Sequence, residues 1–579
     1  MKRHIVALLA DALEQLKRDG KLPVDADPEI QVERARDRAH GDYAANTAMM
    51  LAKVARKPPR ELAEAIRAAL PPSPDVASVE VAGPGFLNFI LTPAARLASI
   101  RRAVDEGADY GRGKPGSLGS ALVEFVSANP TGPLHVGHGR GAAFGDALAN
   151  LLEAAGWCVH REYYVNDAGR QMDILALSLW LRYLQAAGEM VPFPEKAYRG
   201  EYLIEHAREL LSREPRRFIR PAADLADGLS ADEPEAYLDA LVGRARDALG
   251  ADDYRAVLDF ALDAILDDIR DDLEAFSVSF HNYFSERDLA DRIEPAIQRL
   301  TDAGHTYKAD GALWFRASTF GDDKDRVLRR ENGVTTYFAA DVAYHLDKLE
   351  RGFDALVDVW GSDHHGYVPR LRAALTALGA DPKRLEVHLV QFAILYRGGE
   401  KLPMSTRAGE FVTLRELRDE VGKDAARFFY AMRRAEQHLD FDLDLAKSQS
   451  ADNPVYYVQY AHARIYSVFR QLGERGLTHD TAQGAENLHL LETEHEEAVI
   501  DLIGRYPEIV EGAAAAREPH QIAQYLRELA AAFHTYYKAV PFIVDHPALR
   551  DARLTLITAL RRVVANGLAI LGVSAPERM

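Results

Sequence analysis

The chain has 579 residues, of which 47% are hydrophobic and 27% charged, and its formal net charge is −18. This length exceeds what one core can organise, so we expect three or more domains, and no apolar run is long enough to predict a membrane span. The acidic balance argues against wholesale coating of nucleic acid, but it allows local basic contacts.

The N-terminal stretch MKRHIVALLADALEQLKRDG opens like a secretory leader, but Asp11, Glu14 and Lys17 interrupt its apolar part. The apolar spacing continues as in an amphipathic helix, which predicts the first helix of a folded domain. PPRELAEAIRAAL predicts a second helix, and VASVEVAGPGFLNFILT predicts two strands around a Gly-Pro-Gly turn. We therefore expect an α+β domain over residues 1–110, ended by the glycine-rich stretch 110–120.

A strand–loop–helix–strand pattern follows. ALVEFVS (121–127) predicts a strand, SANPTGPLHVGHGRG (127–141) a loop, GRGAAFGDALANLLEAAG a helix stopped by Gly156, and WCVHREYYVND a second strand. This order is typical of a βαβ unit in a parallel sheet. It predicts an α/β, Rossmann-like catalytic domain over residues 118–445.

Cys158 is the only cysteine. It can form no internal disulfide, which fits a reducing, cytoplasmic location, and it excludes a multi-cysteine zinc site. Because it heads an apolar, β-prone run, we expect a buried strand residue rather than a nucleophile.

The second half of the chain is first helical and acidic, over about residues 185–285. In LDAILDDIRDDLEAF the apolar residues share one face, so its aspartates indicate a solvated helix face more than a metal cluster. FDALVDVWGSDHHG and LEVHLVQFAIL predict two further strands with a helix between them. From about residue 445 only helical spacing remains, which predicts an all-helical domain over residues 446–579.

The loop before the first predicted sheet helix carries His135 and His138. Three residues apart at a helix start, they share a face beside unpaired N–H groups, which predicts an anion site suited to a nucleoside triphosphate. Zinc would need a third ligand, and two ordinary surface histidines remain an alternative. The chain has neither the dinucleotide fingerprint after this strand nor a P-loop, so hydride transfer and P-loop hydrolysis do not fit.

Several strings carry a family resemblance. HVGH resembles the HIGH signature of class I aminoacyl-tRNA synthetases, and VEFVSANPTGPLHVGH resembles the arginyl-tRNA synthetases in particular. KLPMSTRAGEFVTL (401–414) stands at the place of the KMSKS loop, and VVANGLAILGVSAPERM resembles the end of the family's helical anticodon-binding domain. The resemblance covers nearly the whole chain.

The resemblance implies an arginine–tRNA ligase that uses ATP with Mg²⁺, L-arginine and tRNA(Arg), and that needs bound tRNA for efficient adenylate formation. It implies no protein-bound structural metal. We further expect a monomer that binds no DNA and no membrane.

For ATP, the resemblance assigns the phosphate contacts to His135 and His138, with Gly137 between them. In the second loop it assigns Met404 and Ser405, and beside the nucleotide ribose Asp363 and His365. The second loop departs from the family pattern: Pro403 and Thr406 stand where lysines belong, and Gly132 stands where some members carry a compensating lysine. We therefore expect Lys401 and Arg407 to supply the catalytic positive charge.

For arginine, the resemblance assigns Tyr337 and Asp341 of YFAAD and Glu286 of YFSE to the guanidinium group. Carboxylates suit that group because they accept its paired N–H donors. Glu124 and Asn129 match positions that hold the α-amino and carboxylate ends. Without the resemblance, the pattern around each acid alone favours an ordinary solvated or helix-face residue.

For tRNA, the resemblance places Phe86 of GFLNF for base stacking and Asn88 for base-edge hydrogen bonds. Core packing is an equal alternative for Phe86. In the C-terminal domain Tyr457 and Tyr460 are candidates for stacking on anticodon bases, although aromatic residues at helical spacing also suit a core.

Three other functions stay open on the residues alone. A class I ligase for another amino acid would not need the carboxylates at 286 and 341. An inactive, synthetase-like RNA-binding protein would fit the altered second loop but not the intact histidines. An unrelated nucleotidyltransferase could share the HxGH loop, but it would not need two flanking RNA-binding domains.

Overall fold

The structure is a computed structural model that describes residues 1–35, 37, 40–221, 225–230, 232–402 and 411–579. Met404, Ser405 and Arg407, three of the predicted site residues, lie outside the described residues, as do Pro403 and Thr406. No helix in the described part of the chain is long and apolar enough to cross a membrane.

The N-terminal region combines four helices with a small sheet. Its elements are α1 (Lys2–Arg18), β1 (Val32–Arg34), β2 (Tyr43–Ala45), α2 (Thr47–Ala55), α3 (Pro59–Ala69), β3 (Val76–Ala82), β4 (Phe86–Leu91) and α4 (Pro93–Glu106). The sheet is antiparallel with the order β1-β2-β4-β3. Ile5, Leu9 and Leu16 on one face of α1 are buried against it, so the predicted first helix and the predicted strand pair are confirmed.

The central region is built on a five-stranded sheet. Its sheet elements and their connecting helices are β5 (Ser120–Glu124), α5 (Val136–Ala155), β6 (Cys158–Val165), α6 (Arg170–Ala186), α7 (Glu201–Arg213), α8 (Pro234–Ala275), β7 (Asn282–Ser285), α9 (Ala290–Asp302), β8 (Thr306–Ala309), β9 (Ala312–Phe315), β10 (Arg326–Arg329), α10 (Tyr337–Glu350), β11 (Ala355–Gly361), α11 (Tyr367–Ala377) and β12 (Leu385–Val390). All pairings in the order β12-β11-β5-β6-β7 are parallel. The predicted βαβ unit and the α/β fold class are confirmed.

Two glycines shape helix α5: one allows its close packing on the sheet, and the other ends it. A Cβ on Gly145 would lie 2.3 Å from the ring of Phe125, so only glycine lets the helix approach the end of β5 this closely. Gly156 ends the helix with φ of +112°, in the left-handed region.

The span expected to be acidic and helical contains α7 and α8, and its last four residues form the edge strand β7. Leu262, Ile265, Ile269 and Leu273 of α8 are buried as expected. Asp272 is the exception among the aspartates: it is buried and pairs with Arg415. Strands β8, β9 and β10 form a separate antiparallel sheet between β7 and α10.

The rest of the chain is mostly helical. Its elements are β13 (Ala393–Arg397), β14 (Glu400–Lys401), α12 (Leu414–Val421), α13 (Lys423–Ala431), β15 (Leu439–Asp442), α14 (Leu443–Lys447), α15 (Pro454–Glu474), α16 (Thr481–Glu486), α17 (Glu494–Ala516), α18 (His520–Ala539) and α19 (Pro547–Ile570). The buried faces of α15, α17, α18 and α19 join the same core as α5. The predicted all-helical C-terminal region is confirmed.

The prediction of a buried Cys158 is wrong. Cys158 is the first residue of β6 and is exposed. At that point β6 pairs only with β5, because its pairing with β7 begins at Glu162. The start of the strand therefore projects beyond its second neighbour.

Candidate active site

The sheet reverses its order of connection between β5 and β11, which are neighbours in space. From β5 the chain moves to β6 and β7 on one side, whereas β11 is followed by β12 on the other. Ligands of open parallel sheets bind beyond the carboxyl ends of the strands at such a point. Here those ends are Glu124 of β5 and Gly361 of β11.

The two predicted histidines form a stacked pair at the start of α5. Their ring centroids lie 3.6 Å apart with 14° between the planes. Nδ1 of His135 accepts hydrogen bonds from the backbone N–H groups of Gly137 (3.1 Å) and His138 (3.3 Å). Nδ1 of His138 accepts one from the backbone N–H of His135 (3.3 Å), so each ring caps the helix start.

This geometry fixes the chemistry that the pair can perform. Burial lowers the pKa of both rings, and burial together with the neighbouring His135 lowers the pKa of His138 to about 3. Both imidazoles are therefore neutral at pH 7, and because each Nδ1 accepts, each ring carries its proton on Nε2. Two Nε2–H donors beside a helix N-terminus suit an anion better than acid–base catalysis near neutrality.

The last residues of the second signature string, 411–414, are held against the histidine loop. Val136 donates its N–H to the carbonyl of Val412 (3.1 Å), and Leu414 donates to the carbonyl of Leu134 (2.8 Å). The ring of Phe411 meets that of His135 edge-on at 5.9 Å. The end of this string thus lies directly beside His135.

Of the two cations predicted for the second loop, Lys401 lies within the described residues. It lies exposed on β14, which pairs antiparallel with β13. In the histidine loop, a Cβ on Gly132 would lie 3.0 Å from the hydroxyl of Tyr202. That hydroxyl donates to the carbonyl of Thr131 (2.5 Å), so a side chain at position 132 would have to push Tyr202 aside.

A cavity of about 300 Å³ opens at the carboxyl ends of β5 and β11. It brings together four of the five residues predicted for arginine, namely Glu124, Glu286, Tyr337 and Asp341. Asn129 is exposed in the loop beyond β5 and does not line it. The remaining lining residues are Val126, Ser127, Tyr164, Asn166, Phe338, Ala340, Tyr344, His345, Val359, Trp360, Gly361, His364, Tyr367 and Leu371.

Two of the cavity's acids have strongly raised pKa values. Burial, followed by the charges of Asp341 and Asp167, raises the pKa of Glu286 to about 7. Burial also raises the pKa of Asp341 to about 7, reinforced by Glu124 and opposed by His345. A cationic ligand between these two acids would favour their ionised forms, so the cavity is built for positive charge.

The turn after β5 orients the third acid. Val126 and Ser127 have φ of +69° and +40°, and the N–H of Ser127 donates to the carbonyl of Phe125 (3.0 Å). A β-branched residue in this region is strained, and such strain is concentrated at functional sites. The turn brings the Ser127 hydroxyl to the carboxylate of Glu124, to which it donates at 2.8 Å.

Sequence reasoning missed a buried charge network behind this cavity. Lys348 donates to Glu124 (2.5 Å) and to Asp358 (2.8 Å), and Nε2 of His345 lies 2.7 Å from the other oxygen of Asp358. Two signals were available: His345 and Lys348 lie four and seven residues after Asp341, on one helix face, and Asp358 interrupts an apolar strand.

The WGSDHHG segment forms a turn directly after β11. His364 lines the cavity, whereas Asp363 and His365 are exposed and do not. In the described part of the chain, no group of three or more His, Cys, Asp or Glu side chains is arranged to hold a metal ion.

Comparison with known proteins places this site in a family. Residues 110–198 and 243–447 match the model of the tRNA synthetases class I (R) catalytic domain. Residues 3–91 match the arginyl tRNA synthetase N terminal domain, and residues 458–579 the DALR anticodon binding domain. A protein of Halorhodospira halophila named arginine–tRNA ligase is 71% identical over the full length of both chains. The chain belongs to the arginyl-tRNA synthetase family.

Two further comparisons agree. The arginine–tRNA ligase of Thioalkalivibrio sulfidiphilus is 60% identical over the full length of both chains. The solved arginyl-tRNA synthetase of Thermus thermophilus matches this arginyl-tRNA synthetase family member over all of both chains, with 26% identity and a TM-score of 0.76. The predicted family, fold class and enzyme class, an aminoacyl-tRNA ligase, are confirmed.

In this arginyl-tRNA synthetase family member, Phe86 lies at the surface of the N-terminal sheet. It is 39% exposed and borders a cavity of about 530 Å³ that Asn88 and Asn46 also line. Asn88 is buried, and the buried Oδ1 of Asn46 has no hydrogen-bond partner. The alternative of Phe86 packed inside a core is therefore wrong.

The C-terminal tyrosines of the family member are half-buried on α15. Tyr460 stacks on Tyr456 with centroids 5.7 Å apart, and the guanidinium of Arg464 lies 4.4 Å above its ring centroid. Both tyrosines also contact His534, Tyr457 at 4.5 Å and Tyr460 at 5.8 Å between ring centroids, and Tyr457 packs against the helical core. Of the two tyrosines predicted for tRNA, Tyr460 belongs to the larger aromatic stack.

Proposed function

We propose that this chain ligates L-arginine to tRNA(Arg) in two steps. Arginine and ATP first form arginyl-adenylate and pyrophosphate, and the arginyl group then moves to the 3′-terminal adenosine. The observation that carries the proposal is the position of an acidic cavity and a neutral histidine pair at one switch point of the sheet. The cavity suits a cationic side chain, and the histidines suit phosphate.

The guanidinium group is bound between Glu286 and Asp341, with Tyr337 at the rim. The two carboxylates, raised in pKa while the cavity is empty, ionise as the cation enters and accept its paired N–H donors. A lysine ammonium offers no such planar fork, so the same pair discriminates against it. Glu124 faces the α-ammonium, and Asn129 at the loop holds the carboxylate end.

The first step needs no protein nucleophile. A carboxylate oxygen of arginine attacks the α-phosphorus, the bond to the bridging oxygen of the β-phosphate breaks, and pyrophosphate leaves with that electron pair. His135 and His138 donate from Nε2 to the phosphate oxygens and stabilise the charge that develops there. Because these donors are already fixed by backbone hydrogen bonds, little reorganisation accompanies the reaction.

The second loop supplies positive charge. Lys401 and Arg407 neutralise the leaving phosphates, while Gly137, Met404 and Ser405 contact the nucleotide. Asp363 and His365, exposed at the end of β11, lie toward the ribose. Mg²⁺ would enter bound to ATP and would add positive charge at its phosphates.

The flanking regions bind tRNA. Phe86 stacks on a base and Asn88 hydrogen-bonds its edge, which the exposure of Phe86 and the adjoining cavity support. Tyr460 and Tyr457 contact the anticodon loop. The domains extend over residues 1–110, 118–445 and 446–579, and the chain acts as a cytoplasmic monomer that binds no DNA.

A charging assay tests the proposal. The purified chain, ATP, Mg²⁺ and labelled arginine should convert a tRNA(Arg) transcript to an acid-precipitable product, and a tRNA for another amino acid should stay uncharged. Absence of charging by folded protein would favour the alternative of an inactive, synthetase-like RNA-binding protein.

A further inference from the structure

Two carboxylates lie side by side where β5 and β11 meet. Glu124 and Asp358 are register partners on these parallel strands, so their side chains project to the same face of the sheet. Both are buried, and Asp358 is completely inaccessible. Two adjacent buried negative charges repel strongly unless a cation compensates them.

Lys348 is that cation. It reaches the pair from α10 and is itself fully buried. Its ammonium donates to one oxygen of each acid, and Nζ lies 4.3 Å from the ring centroid of Tyr344. Although burial opposes its charge, Asp358 and Glu124 raise the pKa of Lys348.

The two acids differ in what they face. Asp358 uses its second oxygen for His345 and has no access to the cavity, whereas Glu124 lines the cavity. Lys348 does not line it. Lys348 therefore acts on a ligand only through its neighbours: Tyr344 and Glu124 directly, or His345 by way of Asp358. Of these lining residues it is Glu124 that bears a negative charge and accepts a hydrogen bond from the Lys348 ammonium.

We propose that Lys348 is a positioning residue for amino-acid recognition: by bridging Glu124 and Asp358 it holds the Glu124 carboxylate in the orientation that receives the α-ammonium group of arginine. Without the bridge, the Glu124 carboxylate turns away from the facing Asp358. The α-ammonium then loses its partner, whereas the histidine pair for ATP is untouched. The inference rests on the proposed arginine activation.

The test compares Lys348→Met with Lys348→Met/Asp358→Asn in pyrophosphate exchange. The single variant leaves two facing carboxylates, and we expect its KM for arginine to rise about tenfold or more, with the KM for ATP within about twofold. In the double variant one charge is gone, and the amide introduced at position 358 can donate to Glu124. Its KM for arginine should then be at least about threefold lower than that of the single variant.

Arg351→Met is the matched control. Arg351 is the residue that follows α10, three positions after Lys348. It forms a two-pronged ion pair with buried Glu162 on β6 (2.6 and 2.7 Å), and neither residue lines the cavity. Its loss should lower the melting temperature and leave the KM for arginine within about twofold. This control distinguishes a general destabilisation around α10 from a specific loss of the Glu124 carboxylate's orientation.

Each outcome of these experiments either supports or overturns the inference. The inference is overturned if folded Lys348→Met binds arginine normally, if its arginine and ATP constants rise together, or if the double variant is no better than the single one. If the single variant does not fold, the double variant decides. An arginine KM that is raised together with the ATP KM overturns the inference. An arginine KM within about tenfold of the wild-type value, with a normal ATP KM, supports the inference. Inactive wild-type protein would instead overturn the proposed function.

Discussion

The rings of His135 and His138 stack 3.6 Å apart, and backbone N–H groups occupy Nδ1 of both. The pair is consequently a rigid, uncharged donor of two Nε2–H groups at the start of α5. A charged pair at this separation would repel, and burial would add to that cost. The site thus attracts phosphate by oriented donors, and the positive charge must come from elsewhere.

Replacement of His138 by alanine tests this role. We expect kcat for arginyl-adenylate formation to fall about 100-fold, comparable to the loss of one preorganised donor to a developing oxyanion. Circular dichroism and the arginine KM should change little. His160→Ala is the control, because His160 also stacks on a histidine, His281, at 5.2 Å, but near the amino end of the sheet. Undiminished kcat in His138→Ala would contradict the phosphate assignment.

Arginine binding should strengthen as the pH rises from 6 to 8. Glu286 and Asp341 both have a pKa of about 7 in the empty cavity, so below pH 7 the guanidinium must displace protons that are absent above it. We expect Kd at pH 6 to exceed Kd at pH 8 by about tenfold to a hundredfold, with protons released on binding. Isothermal titration in buffers of different ionisation enthalpy measures both effects.

Glu286→Gln supplies the control for that titration. With one titrating acid removed, arginine binds more weakly at every pH, and the pH dependence becomes about half as steep on a logarithmic scale. A wild-type affinity that is flat from pH 6 to 8 would show that the two acids do not face the guanidinium.

The positive charge of the altered second loop can be tested by substitution. Lys401→Ala and Arg407→Ala should each raise the KM for ATP or lower kcat by about tenfold, because each removes positive charge beside the phosphates. Lys383→Ala, an exposed lysine just before β12, should change neither constant. If both loop variants match wild type in pyrophosphate exchange, the neutralising cation lies outside this loop.

Phe86 offers a test of the N-terminal region. We expect Phe86→Ala to raise the KM for tRNA about tenfold, as loss of one base stack does, without changing the arginine KM. Leu118→Ala, another exposed apolar side chain, is the control. Equal tRNA constants in wild type and Phe86→Ala would place the tRNA elsewhere.

Much of the fold follows from local sequence patterns. Helix α5 and strands β5 and β6 were predictable because Gly156, the apolar period and the glycine-rich loop all indicate the same unit. The exposure of Cys158 was not, since it depends on where β7 begins to pair, and β7 lies more than 120 residues further along the chain.

The candidate site likewise has features that the sequence predicts and features that it does not. The histidine pair is local, so its position at a helix start followed from the sequence. The raised pKa values of Glu286 and Asp341, by contrast, arise from burial and from charges on separate elements. The bridge from Lys348 to Glu124 joins residues 224 positions apart. Such relationships exist only once the sheet has assembled.

The most direct test of the account is ATP–pyrophosphate exchange with each of the twenty amino acids, with and without tRNA(Arg). The account predicts exchange with arginine alone, strongly stimulated by tRNA(Arg), and none with lysine. Exchange with a different amino acid, or no exchange with arginine even in the presence of tRNA(Arg), would contradict it.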